Sequence, residues 1–251
     1  MRLFTEKNRN LTLLAVIALL AAWKIASLLI GSDIILPSPE HTFREFYLLL
    51  CARDFWPALG STLLRGAVGF IVSCIAGVII GIPAGLKPGF RIFVRPLLSI
   101  VRTVPVMSII LLALIWFHSG AVPVFVSFLM SFPIVCGNVI EGVGQSENLL
   151  VEMAHQYRVS RRTTLLHVYI PSVFPFFIAG ASTAMGITWK VVIAAEVLAQ
   201  PVRAMGTGLQ EARIQLNTAE VFAWTVAAVL VSVASEKLLE RAVRKVPWRK
   251  R

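Results

Sequence analysis

Acidic residues are scarce in this chain: 13 aspartates and glutamates face 24 lysines and arginines in 251 residues, a formal net charge of +11. Charge of either sign is thin, at 15% of residues, where about a quarter is usual in a soluble domain. With 57% apolar residues and a mean hydropathy of +0.79, that scarcity excludes an ordinary soluble domain. The three cysteines, Cys51, Cys74 and Cys136, are widely spaced and two lie in apolar runs. They form no disulfide framework or metal-ligand spacing and read as small buried hydrophobes. His41, His118, His155 and His167 are scattered, and neither H-E-x-x-H nor G-x-S-x-G occurs. A membrane enzyme, which needs His, Asp or Glu gathered at one depth, therefore finds no support. The G-x-x-x-x-G-K-[ST] phosphate loop is missing too, so any nucleotide chemistry has to come from another chain.

What the chain has instead is long apolar runs. Six are long enough to read as transmembrane helices: about Leu11–Ile30, Ser61–Leu86, Pro96–Phe117, Val124–Ile140, Ser172–Ala199 and the shorter Glu220–Ser235. A cleaved signal peptide competes for the first, because Arg2, Lys7 and Arg9 precede it. The run is long for such a segment and no A-x-A site follows it cleanly, which favours a retained span. The basic excess could suggest nucleic acid, but its placement argues otherwise. Of the 24 basic residues, 16 fall in the N-terminal segment, at Lys87–Arg95, at Arg158–Arg162 and in the C-terminal tail, against Arg44, Arg53, Arg203 and Arg213 in the alternate loops. That asymmetry predicts both termini on the cytoplasmic side. The expectation is one all-α, multi-pass integral membrane domain over residues 1–251, with no nucleic-acid partner.

Several features sit on that frame. Residues 31–60 form a periplasmic segment carrying the turn-rich Leu36–Pro39 and an aromatic stretch suited to a short interfacial helix. Gly77, Gly81 and Gly85 recur every fourth residue, a small-residue stripe for close helix packing. Pro105 and Pro133 lie within spans, where prolines mark bends.

The longest cytoplasmic loop, residues 147–171, has Arg158, Arg161 and Arg162 at its centre. Leu149, Leu150, Met153, Ala154 and Tyr157 recur at helical spacing, and Ser160 is placed to cap a second helix bearing Leu165, Val168 and Tyr169. Ile170–Pro171 is expected to end that helix. A helix pair of this kind, lying along a membrane surface with an apolar stripe, calls for a partner protein.

Glu152, Ala154, Val168, Ile170 and Pro171 fall at the spacings of the E-A-A-x3-G-x9-I-x-L-P signature, and by them the chain resembles the permease subunits of bacterial binding-protein-dependent ABC importers. Met153 replaces the middle alanine, and Arg158 stands where the glycine is expected. Leu36–Pro39, Ser61–Arg65, Phe132–Ile134, Ala195–Glu196 and Gly206–Leu209 are similar to the sulfonate, nitrate and taurine branch, in order along nearly the whole chain. The resemblance implies a type I ABC importer permease fold in the bacterial inner (cytoplasmic) membrane. It also implies a second copy of the permease, a cytoplasmic ABC ATPase dimer and a periplasmic or lipid-anchored substrate-binding protein. On this reading the chain binds no cofactor, ATP and Mg belong to the ATPase, and Glu152, Ala154, Arg158, Arg161, Arg162, Ile170 and Pro171 form the coupling loop.

Ionisable groups inside spans are functional candidates by default. Lys190 and Glu196 are six residues apart, about 120° around the helix, too far round to pair directly. Lys190 is expected to face the translocation pathway, where a cation favours an anionic substrate. Glu196 is expected to shape the outer gate or to pair with a basic residue elsewhere. Trp189, which shares the face of Glu196, and Met107 join the pathway candidates. The function expected is ATP-driven import of a small solute such as a sulfonate, taurine or nitrate. The alternative is an ion-gradient-driven secondary transporter with no ATPase, which leaves the Glu152–Pro171 loop unexplained.

Overall fold

The computed structural model describes residues 6–145, 152–154 and 156–244. They form helices, named here in chain order: α1 Glu6–Ile30, α2 Pro39–Cys51, α3 Phe55–Leu86, α4 Pro88–Thr103, α5 Val106–Trp116, α6 Val122–Gly144, α7 Arg161–Thr164, α8 Ile170–Ala199, α9 Met205–Ile214 and α10 Thr218–Arg244. No strand occurs among the described residues.

α3, α6 and α8 make the centre, with α6 packed between the other two. The glycine stripe explains the closeness of α3 and α6. A Cβ added at Gly77, Gly81 or Gly85 would stand 2.7, 2.7 and 2.4 Å from Val135, Val139 and Val143, a valine ridge of the same four-residue period. On the far side of α6, Gly142 lies under Phe176 and Asn138 lies against Gly180. The outer surface of α3 is apolar: Ile75 and Ile79 are 55% and 65% exposed, as suits side chains facing hydrocarbon rather than water.

Four helices are long and apolar enough to cross a membrane: α3, α6, the run Arg162–Ala199, and α10 over Thr218–Val243. The third span, about Pro96 to Phe117, in which Pro105 marks a bend, consists of two helices bent by 99°. Val104 takes extended geometry, ψ 132°, because Pro105 follows it. α5 has only 11 residues, about 16 Å of helix, too short to cross alone. Counting the bent pair as one gives up to five spans among the described residues, apart from the apolar helix Leu14–Ile30 within α1.

The structure departs from expectation at Pro171, which does not end the preceding helix. Leu165–Tyr169 form a π-turn in which the Ile170 N–H reaches back to the Leu165 carbonyl, and the helix continues into α8. The extra residue falls immediately before the proline, easing the crowding its ring would cause in a regular α-helix.

The segment from α1 to α2 is ordered by capping and side-chain bonds. Ser38 Oγ accepts from the His41 N–H and Pro39 opens α2, the expected interfacial helix. α1 is tied to the loop by Trp23 Nε1 and Ser27 Oγ donating to the Pro37 and Leu36 carbonyls. Lys24 Nζ meets Glu40 Oε2 at 2.8 Å, and that ammonium holds the Glu40 carboxyl below the usual carboxylate range.

Candidate functional site: a helix bend and a buried latch

The bend at Arg158 is built by two caps in succession. The N–H of Val159 donates to the Ala154 carbonyl at 2.9 Å, closing the first helix, and Arg158 between them has φ +50°. This is the C-terminal capping geometry in which glycine is favoured for want of a Cβ. The position where the importer signature has glycine is therefore left-handed here too, with an arginine accepting a strain of roughly 1–2 kcal/mol. Ser160 then starts the next helix: its Oγ accepts from the Thr163 N–H at 3.2 Å, and its carbonyl from the Thr164 N–H at 3.0 Å.

Glu152, Arg158 and Arg162 are exposed on this bend, and Ala154, Ile170 and Pro171 are half-buried. Residues 147–151, which carry Leu149 and Leu150, lie outside the described residues, as does His155, and the side chain of Arg161 is not described. Met153, Tyr157, Val159 and Leu166 are 45%, 77%, 40% and 42% exposed, an apolar patch that the described residues leave uncovered.

At the other end of α8, Glu196 is fully buried. Its carboxylate accepts from Arg65 Nη1 at 2.8 Å, from Thr62 Oγ1 at 3.0 and 2.9 Å, and from the Gly206 N–H at 3.2 Å. Thr62 Oγ1 in turn accepts from the Met205 N–H at 3.0 Å, and Arg65 Nη1 also donates to the Arg203 carbonyl at 2.9 Å. The first turn of α9 thus points its free N–H groups at a buried anion and its hydroxyl partner, an arrangement favoured by the helix dipole. Gly206 must be glycine for this approach, since a Cβ there would stand 2.4 Å from the Glu196 Cβ and 2.6 Å from the Ile193 carbonyl oxygen. Left-handed Gln200, φ +47°, turns the chain out of α8 so that α9 can come back against it. A buried ion pair with every carboxylate oxygen engaged is a latch joining α3, α8 and α9.

The pathway candidates separate. Trp189 is 4% exposed, its ring packed on Gly66 in the chain's own core and its Nε1 without a hydrogen-bond partner. Met107 is 55% exposed on α5, two residues beyond Pro105. Lys190 is exposed and forms no ion pair among the described residues. It shares a face of α8 with Ser182, Thr183 and Gly186, and Glu236 of α10 comes within 3.0 Å of where a Gly186 Cβ would be. Spacing along the chain does not mark Glu236 as belonging to this face, nor Thr62, Arg65 and the α9 backbone as partners of Glu196. One signal for the latch was present: Arg65 and Glu196 are opposite charges, each near the outer end of its span.

Residues 75–245 match the family described as "Binding-protein-dependent transport system inner membrane component". The chain is 26% identical over 233 residues to the taurine transport system permease protein of Escherichia coli, covering 90% of this chain and 84% of that protein. It is 27% identical over 247 residues to a putative aliphatic sulfonates transport permease protein of Bacillus subtilis, covering 96% and 87%. To the nitrate import permease protein of Synechococcus elongatus it is 25% identical over 190 residues, covering 71% and 68%. Among solved structures it shares the fold of a chain from the MetNI methionine ABC transporter in an inward-facing conformation, with TM-score 0.56, 18% identity and coverage of 78% and 95%. It shares the fold of a chain from an amino acid ABC transporter as well, with TM-score 0.58, 14% identity and coverage of 79% and 98%.

Proposed function

We propose that this chain, which belongs to the family of binding-protein-dependent transport system inner membrane components, is driven from the inside through the bend at Arg158 and gated on the outside by the Glu196 latch. It is the membrane-spanning permease of an ATP-driven importer of the inner membrane, so an ion-gradient carrier no longer competes.

The observation that carries the coupling role is the double cap. Two short helices meet at a left-handed Arg158 and a Ser160 cap, present an uncovered apolar patch, and continue without a break through the π-turn into α8. A separate ABC ATPase dimer binding ATP and Mg would grip this bend, with Glu152, Ala154, Arg158, Arg161, Arg162, Ile170 and Pro171 forming the seat. Because α8 is continuous with the bend, a displacement there passes as a rigid-body motion to Lys190 and then to Glu196 at its outer end. Prying α9 from Glu196 would cost the buried carboxylate its Gly206 partner, which biases the outer side to stay shut until the ATPase moves the bend.

The polar face of α8 supports a second copy of the permease. A lysine within a span is costly against lipid and belongs against protein or a water-filled cavity. Lys190, Ser182, Thr183 and Glu236 are left uncovered by the chain itself, so a partner copy facing this strip would enclose the path. The relatives named for taurine, sulfonates and nitrate and the charge of Lys190 support a small anion as substrate, delivered by a periplasmic or lipid-anchored binding protein.

The test is co-purification. The ATPase is expected to remain with the wild-type chain through detergent extraction and to be lost from Glu152→Ala and from the double variant Arg161→Ala, Arg162→Ala, each still inserted in the membrane. Coupled ATP hydrolysis and uptake persisting in those variants would remove the bend from the coupling route.

A further inference from the structure

A second concentration of charge lies on α4, away from both the bend and the latch. Arg91, Arg95 and Arg102 fall within about 40° of one another around the helix axis. With Ser99 they line a cavity of about 230 Å3 whose opposite wall is Gly137, Ile140 and Glu141 of α6. Three guanidinium groups there meet one carboxylate, and none of the three is in an ion pair among the described residues. Arg91 Nε is buried with no hydrogen-bond partner. Arg102 Nη2 donates to the Pro133 carbonyl, which anchors it half-way along α6. Gly137 keeps the space open, since a Cβ there would stand 2.5 Å from Arg102 Nη2.

The stripe runs from beside Lys87, at the end carrying the excess of basic loops, to the middle of α6, about 16 Å along α4. Arginine at that depth has to face a polar cavity or another protein group. Its planar fork suits an acceptor with several oxygens, which carboxylates, phosphates and sulfonates supply. α4 and α6 also bring buried Val94, Leu98, Cys136 and Ile140 together beneath the cavity, so the arginines stand on a packed floor.

The geometry points to an oxyanion-binding site between α4 and α6, held by Arg91, Arg95 and Arg102 and weakened by Glu141. Two sources carry that chemistry, the phosphodiester of an anionic phospholipid or a dissolved oxyanion on its way through the inner half of the membrane. The site is separate from Lys190 and does not depend on the bend.

The experiment uses the full chain with its ATPase in phosphatidylcholine nanodiscs, with two probes: sulfate, by titration calorimetry, and phosphatidylglycerol mixed into the disc, by mass spectrometry of retained lipid. Arg91→Gln with Arg95→Gln is expected to weaken the bound probe by about tenfold or more, the loss of charge-assisted hydrogen bonds. Glu141→Gln is expected to tighten it severalfold without removing any cation. Weakening of sulfate alone assigns the site to a solute, and weakening of phosphatidylglycerol alone assigns it to lipid. If neither probe distinguishes the double variant or Glu141→Gln from wild type, with unliganded melting temperatures unchanged, the site does not exist.

Discussion

Arg65 Nη1 stands 2.8 Å from Glu196 Oε1, joining α3 to α8 across 131 residues of sequence, and the same nitrogen holds the Arg203 carbonyl ahead of α9. The carboxylate is fully buried while the guanidinium side keeps 16% exposure. Breaking one side of such a pair is costlier than replacing both. Arg65→Met is expected to lower stability by about 3 kcal/mol or more, because Glu196 is left buried and uncompensated. Combining Arg65→Met with Glu196→Met should cost clearly less than the two single changes added together. Thermal unfolding of the four purified proteins completes the cycle, and strict additivity would show that the two side chains are not coupled.

The left-handed backbone at Arg158 makes an opposite kind of prediction, a stabilising change. Arg158→Gly relieves roughly 1 kcal/mol of Cβ strain, whereas Arg158→Val, β-branched at a positive φ, should destabilise the bend. Limited proteolysis of the loop and thermal unfolding measure both. A loop cleaved faster in Arg158→Gly than in wild type would contradict the capping geometry.

Along α3, glycines differ in what they forbid. Gly81→Val drives a side chain into Val139, whose Cγ1 lies 2.7 Å from the added Cβ, and is expected to cost roughly 1–3 kcal/mol. Val139→Ala in the same chain should recover part of that loss. Gly60, on the same helix with nothing within 4 Å of an added Cβ, should accept Ala with no loss and a gain of up to about 1 kcal/mol. Resistance to unfolding by denaturing detergent reads out all three, and equal losses at Gly60 and Gly81 would discard the packing account.

Lys190 is the charge on the face assigned to the pathway. Lys190→Met is expected to reduce uptake of an anionic substrate by about tenfold or more, the loss of one charged hydrogen-bonding partner, while Lys190→Arg retains most of it. Uptake into proteoliposomes at matched expression is the measurement. A Met variant that transports like wild type would take Lys190 out of the path.

Much of the chain's layout could be read from residue order alone. Long apolar runs, the bias of arginine and lysine toward alternate loops, the glycine repeat and the Ser160 cap are local patterns, and local patterns follow from chain geometry and solvent preference. One reading of equally local kind differs: Pro171, expected to stop the helix before it, is bridged by a π-turn, whereas Pro105 breaks the span from Pro96 to Phe117 where a bend is expected. A proline removes one N–H in every case, and whether the helix ends, bends or slips a residue depends on what the neighbouring helices can satisfy.

Pairing across distance belonged to the tertiary structure. The sequence by itself determined that Glu196 is a charge within a span and that such a charge needs a partner. It did not determine that the partner set is Arg65, Thr62 and the first turn of α9, because those groups converge only after Gln200 reverses the chain and Gly206 lets α9 close in. In the same way Arg91, Arg95 and Arg102 are marked as a helical stripe by their spacing, while the cavity before them exists because α6 presents Gly137 at that level. Spacing decides which side chains share a face, and packing decides what that face meets.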